Sequence, residues 1–329
     1  MSRRLLMVIG LLALTGVGAG TYSLFFKGEP PPVAPVFVDN LDQPLAKSDE
    51  FEKLARENPV GMLDQCLARY SREVTGGVHC TFEMQERVGG KPKPPEVPDS
   101  EVIDMWVRGD VPDPKSQKTA IEVLMKWKRG AKRPQSINFG APAPIQGTLF
   151  SERPKTAGGL DGKVVTWRPD ASIFSLGTPL DPNNDMAKAQ SRYCIRDAGL
   201  FRSMLRTHEA WKGLRTAGEL DYEYVGKQTP PKIGRECHVI KRRCPRVETD
   251  AFEVGGEPST DPKVIATEGF TEVTLYIDAE RWLQVGTELY RTEPDGTRVL
   301  VGTYYFRDVH LNPTVPPDTF TVEALKKKD

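Results

Sequence analysis

The residues best equipped for chemistry are thinly spread in this sequence, and their spacing excludes more than it suggests. His208-Glu209-Ala210-Trp211-Lys212 begins like the helical signature in which two imidazoles, four residues apart, hold zinc beside a carboxylate base. Lys212 occupies the place of the second imidazole, so that reading fails and His208 reads as a residue at the edge of a helix stripe. His79, His238 and His310 share no metal-ligand spacing. Asp181-Pro182-Asn183-Asn184-Asp185 alternates oxygen ligands as a calcium loop does. Met186 replaces the glycine that such a loop needs, and Arg192 replaces the closing glutamate, so an ordinary Asx-rich turn is the default. No G-x-S-x-G elbow is present, and Gly16-Val17-Gly18-Ala19-Gly20 has no strand before it to make it a phosphate loop. The sequence thus implies no catalytic residue, no metal and no cofactor.

Cys66, Cys80, Cys194, Cys237 and Cys244 form an odd set without a C-x-x-C pair, which excludes a zinc ribbon and a thioredoxin-like redox motif. A bridge between Cys66 and Cys80 is sterically conceivable; small buried thiols are the other reading. Lys and Arg number 45, as do Asp and Glu, so no global field favours nucleic acid. The basic clusters at 126–133, 241–246 and 326–328 are local and read as solvated strand edges or termini.

Apolar side chains remain. Phe82, Met84, Trp106, Met125, Trp127, Leu275, Ile277, Leu289, Tyr304 and Phe306 fall on the alternating positions of strand-like runs, where they would share a concave face. Core packing under helices is their default role. If the helices fill the sheet incompletely, the same residues would line a cavity for an apolar ligand.

The elements that would position them are legible. Asn58-Pro59 is an N-cap followed by proline at the first helical position, and Leu63, Cys66, Leu67 and Tyr70 recur at helical spacing, which predicts a helix over 59–73. A second helix, capped at Asp197, should carry the stripe Leu200, Phe201, Met204, Leu205, His208 and Trp211. Strands are expected from Cys80, then at 102–108, 121–127, 147–150, 163–168, 220–225, 235–243, 273–278, 282–292 and 298–309. Gly89-Gly90 and Pro294-Asp295-Gly296 supply turns. Stretches 110–118, 130–145, 178–190 and 245–269 are long polar or proline-rich loops. The expected fold is one α+β domain over 49–329: a large curved antiparallel sheet, a half-open barrel of nine to eleven strands with two helices on its concave side. Alternation implies one dry face and one wet face.

Residues 1–27 read as a targeting segment, with Arg3 and Arg4 before the uncharged run 5–26 and Lys27 after it. Cleavage after a signal peptide and retention as a membrane anchor both fit. In either case the body is delivered outside the inner membrane, to the periplasm or the membrane's outer face. Residues 28–48 would be a proline-rich linker.

Met84-Gln85-Glu86-Arg87-Val88-Gly89-Gly90-Lys91, the strand Val123-Leu124-Met125-Lys126-Trp127, and Leu180-Asp181-Pro182 leading to Ser191-Arg192-Tyr193-Cys194-Ile195 resemble an uncharacterised bacterial envelope family, domain of unknown function 1571, typical of planctomycetes. The resemblance runs over about 63–320. The chain departs from the family near 91–100 and 110–116, and has Cys194 where the family usually has proline. The ending 305–320 is similar, more distantly, to the closing strand of LolA-like lipoprotein carriers and RseB-type envelope sensors. That likeness implies a sheet curled around a helical plug, sheltering acyl chains. The expected function is non-enzymatic binding of a lipid, a lipidated protein or another apolar ligand in the envelope. The alternatives are a sensor that reads the envelope through its long loops, and a hydrolase whose residues come from remote strands. Membrane contact would run through the N-terminal segment if it is uncleaved.

Overall fold

The structure is a computed structural model that describes residues 41–86, 100–113, 115–116, 118–130, 144–171, 175–184, 191–249 and 259–327. The targeting segment, most of the linker, the turn at Gly89-Gly90 and parts of the four long loops lie outside the described residues. From Val38 onward the chain forms one compact unit. Among the described residues no helix is long and apolar enough to cross a membrane.

Among the described residues ten strands form one sheet: β1 (Val78–Glu86), β2 (Glu101–Arg108), β3 (Glu122–Arg129), β4 (Gly147–Ser151), β5 (Lys163–Trp167), β6 (Asp221–Gln228), β7 (Cys237–Glu248), β8 (Phe270–Asp278), β9 (Gln284–Thr292) and β10 (Arg298–Leu311). Their spatial order is β5-β4-β3-β2-β1-β10-β9-β8-β7-β6, antiparallel throughout. Two five-strand meanders are therefore stitched together by one pairing, β1 with β10, whose register sets Phe82 opposite Phe306 and Met84 opposite Tyr304. With β5 and β6 left as edges, the sheet is open, a half-open barrel. Register shifts interrupt the β1–β10, β2–β3, β6–β7, β8–β9 and β9–β10 ladders. Such bulges increase local twist and bend the sheet toward one face.

Three helices pack on that face: α1 (Ser48–Glu57), α2 (Pro59–Glu73) and α3 (Leu200–Ala217). The sequence reading contained only the last two. α1 is brief and follows a proline-rich stretch, yet it buries Phe51 and Ala55, and Phe51 stacks on Trp282 with centroids 4.1 Å apart. α2 starts where expected: the Asn58 side chain accepts the Gly61 N–H at 3.0 Å and Pro59 is the first helical residue. Residues 44–46 are tied back onto α2, since Ala46 N–H donates to Gln65 Oε1 at 2.7 Å and Gln65 Nε2 donates to the Pro44 carbonyl at 3.3 Å.

The start of α3 differs from expectation. Asp197 lies in a 3-10 turn (Ile195–Asp197), and the cap is Gly199 at φ 101°. A Cβ at Gly199 would stand 3.2 Å from Val107 Cγ1, and the backbone there is left-handed, so glycine suits the site twice over. Within the loop expected at 245–269, β7 continues to Glu248 and α4 (Pro262–Glu268) adds about two turns of helix capped by Asp261.

The outer face is not wholly wet. After β10 the chain crosses beneath β3–β5 and ends in α5 (Val322–Lys326), where Phe320 and Leu325 bury Leu124, Leu149 and Val165. Trp106 belongs to this side. It packs against that cluster and stacks on His79 at 4.0 Å.

The five cysteines are free thiols, so Cys66 and Cys80 form no bridge. Burial raises the thiol pKa of Cys194 to about 11 and those of Cys237 and Cys244 to about 12.

Candidate functional site

Alternation on β1–β3 sends Phe82, Met84, Ile103, Met105, Met125 and Trp127 to the concave face in one register, with Met105 opposite Met125 and Ile103 opposite Trp127. β10 adds Tyr304 and Phe306, and Phe82 stacks on Phe306 at 5.0 Å. The cover over these residues is not a helix along its whole length. It is the stretch 191–199, which brings Tyr193, Cys194 and Ile195 down before α3 begins. Between cover and sheet lies a partly enclosed cavity of about 440 Å³. Its lining exposes far more carbon than polar atoms, and Met125 and Trp127 are only half-buried where they meet it.

Of the ten expected lining residues, six face this cavity: Phe82, Met84, Met125, Trp127, Tyr304 and Phe306. Leu289 lines a neighbouring cavity of about 560 Å³ with Tyr304, Trp211 and Phe270. Leu275 and Ile277 are wholly buried on the half of the sheet that the helices cover, and serve the core. Trp106 points to the outer face, for strand parity places it beside Asp104 and away from Met105. Missing from the expected set were Thr148 and Thr166, which face inward from β4 and β5, and Tyr193, Ile195 and Arg206. The two threonines hide from a polarity pattern because the outer face of β4 and β5 carries Leu149 and Val165, buried by the C-terminal segment.

A polar rim orders one end of the cavity. Tyr304 Oη donates to Glu86 Oε1 at 3.0 Å, while Ser191 Oγ and the Arg192 N–H donate to Glu86 Oε2 at 3.4 and 3.3 Å. Burial, and then the Glu86 charge, push the Tyr304 phenol well above its ordinary range, so Tyr304 stays a neutral donor. Tyr193 meets Tyr304 edge-on at 5.3 Å, and the Arg206 guanidinium lies 3.9 Å from the Tyr193 ring centroid. Trp127 Nε1 donates to Glu101 Oε2 at 2.7 Å, which fixes the indole at the mouth.

Little in this lining is reactive. Among the described residues no histidine lines it, and His208 instead donates to Asp64 at 2.8 Å across the α2–α3 interface. Cys194, with its thiol pKa raised, is a weak nucleophile. Among the described residues no cluster of His, Cys, Asp and Glu could hold a metal. Asp181 accepts the Asn183 N–H at 2.8 Å, as an Asx turn does.

No family model matches the chain, so the resemblance to domain of unknown function 1571 stays a resemblance, and no curated protein matches either. Among solved structures, the chain is similar to a DUF1329 family protein from Desulfovibrio piger (13% identity, TM-score 0.34, 82% of this chain and 99% of that one). It is also similar to MucB (13% identity, TM-score 0.37, 81% of this chain and 64% of that one). A third is a LolA superfamily protein from Nitrosomonas europaea (9% identity, TM-score 0.26, 80% of this chain and 99% of that one).

Proposed function

We propose that this protein binds an acyl chain or a comparable apolar ligand in the cell envelope, as a lipid- or lipoprotein-handling protein that performs no chemistry on what it holds. The observation that carries the reading is the 440 Å³ cavity between the β1–β5 half of the sheet and the 191–199 cover. Its size falls within the roughly 300–1,000 Å³ usual for ligand pockets. Phe82, Met84, Met125 and Phe306 offer rings and flexible thioethers, which adapt to a chain without demanding one shape. Each methylene transferred from water gains about 0.8 kcal/mol. A half-sheltered chain would therefore bind without a polar anchor. The envelope address comes from the export segment at residues 1–27.

The test is native mass spectrometry of full-length protein purified from membranes, before and after delipidation, followed by back-titration with palmitate while Trp127 emission is read. A mass lost on delipidation, and a Trp127 response absent from Trp127→Phe, are the expected results. Ligand-free protein that gives no response to palmitate would sink the reading.

A further inference from the structure

The charge on the cavity lining is lopsided. Four charged residues contribute to it: Glu86, Arg168, Asp197 and Arg206. Glu86 is engaged by Tyr304, Ser191 and the Arg192 backbone, and Asp197 acts on Cys194, helping to raise its thiol. The two arginines are unlike them. Among the described residues neither Arg168 nor Arg206 has a carboxylate within ion-pairing reach, and the buried Nε of Arg168 has no hydrogen-bond partner.

Arg206 holds the more telling position. Its guanidinium is placed over Tyr193, and Tyr193, Arg206 and Tyr304 line both the 440 Å³ cavity and the adjoining 560 Å³ cavity. These three side chains are the partition between an apolar chamber and a second chamber whose other arginines are already matched. Arg242 pairs with Glu248 at 2.9 Å and Arg246 with Glu219 at 3.4 Å. A guanidinium offers five N–H donors in a planar fork suited to carboxylate or phosphate. Held against an aromatic ring beside an apolar chamber, it lacks an anion.

Building on the acyl-binding reading, we infer that the ligand is an anionic amphiphile, its chain in the 440 Å³ cavity and its carboxylate or phosphate head on Arg206. A charge-assisted pair in such partly desolvated surroundings favours the anion over an uncharged head of equal chain length by roughly tenfold or more. An acyl chain on a lipidated protein, whose attachment is uncharged, gains nothing from this residue.

The experiment titrates delipidated full-length protein with palmitate, hexadecyl phosphate and hexadecanol, following Trp127 emission against a Trp127→Phe blank. Both anions should bind roughly tenfold or more tightly than the alcohol, and the tighter of the two identifies the head as carboxylate or phosphate. Arg206→Gln should abolish that preference, lowering the affinity of both anions far more than that of hexadecanol. Arg206→Lys should keep most of it. Equal binding of alcohol and anions by the unsubstituted protein would overturn the inference and leave acyl binding standing. A preference that survives Arg206→Gln, or disappears only in Arg168→Gln, would overturn the assignment to Arg206. Failure of all three probes would remove the acyl-binding reading itself.

Discussion

The two halves of the concave face are built by the same alternation and end differently. On the β6–β9 half, Leu275 and Ile277 are wholly buried beneath helices, and the equally buried Phe51 of α1 stacks on Trp282 and meets His238 of β7. On the β1–β5 half the strands present residues just as apolar, but β3 runs from fully buried at Val123 to half-buried at Met125 and Trp127. What differs is the cover. A helix rises only 1.5 Å per residue and returns an apolar side chain to one face every three or four residues. The near-extended stretch 191–199, with a single 3-10 turn, spaces its side chains more widely and sends many of them elsewhere. The 440 Å³ cavity follows a change in covering element, whereas the 560 Å³ cavity lies under α3, beside Trp211 and Leu289.

That contrast is broken most forcefully by truncation. Phe51→Ala, on the helix-covered half, should cost about 3–5 kcal/mol, read as a lower urea midpoint at unchanged slope. Trp127→Ala, at the half-exposed mouth, removes a larger side chain and should cost under about 2 kcal/mol, because much of that ring already meets solvent or the cavity. Equal losses would mean that the mouth is packed as tightly as the core.

A smaller effect tests the helical plug from within. His208 on α3 contacts Asp64 on α2 at 2.8 Å and Glu209 on its own helix at 3.2 Å, with Lys212 acting on Glu209. Burial opposes its charge, but hydrogen bonds to Asp64 and Glu209 and their charges outweigh burial and raise its pKa to about 9. An unfolded histidine titrates near 6.5. The protonated imidazole therefore stabilises the fold in full below about pH 6.5, and this contribution is lost as pH rises through about 9. The expected change is of order 1–3 kcal/mol between these limits. It should appear as the difference between unfolding curves of the unsubstituted protein and His208→Gln across that range. His238 has the opposite sign, since burial lowers its pKa, so its contribution is lost on the acid side. A flat difference curve above pH 6.5 would show that the α2–α3 clamp is not ionic.

Strand positions were legible in the sequence because alternation and turn residues are local signals. The helix at 59–73, the hairpin turn at Pro294-Asp295-Gly296 and all ten strands follow from them, and the Glu293 N–H donates to the Thr297 carbonyl at 2.8 Å across that turn. Which face each strand presents was harder to read. Trp106 was expected inside because it is large and apolar, although its parity matches Asp104; the C-terminal segment that receives it is contributed from more than 200 residues away. Thr148 and Thr166 were missed for the converse reason, being polar side chains turned inward. Arg206 left no signal, since its place over Tyr193, with no carboxylate in reach among the described residues, is set only in three dimensions. Alternation states where side chains can go, and tertiary cover states what they meet there.

The finest separation of the two halves comes from adding volume. Thr148→Phe places a ring on an inward position of β4 that borders the 440 Å³ cavity. The ring has space to enter, so stability should shift by less than about 1 kcal/mol. It would occupy the volume that a chain needs, so palmitate affinity should fall by at least about tenfold, as roughly two methylenes of burial are displaced. Ala55→Phe makes a similar enlargement at a fully buried position of α1, the helix that packs on β6 and β7. With no cavity to receive it, overpacking should cost about 1–3 kcal/mol or more while leaving palmitate affinity of the folded fraction unchanged. Thermal unfolding and palmitate titration of the two variants, run side by side, would show opposite losses if the β4 position borders a chamber and the α1 position is packed solid. Were Thr148→Phe to destabilise the fold as much as Ala55→Phe does, the β4 position would be packed as tightly as the α1 position, with no chamber there for a chain to enter.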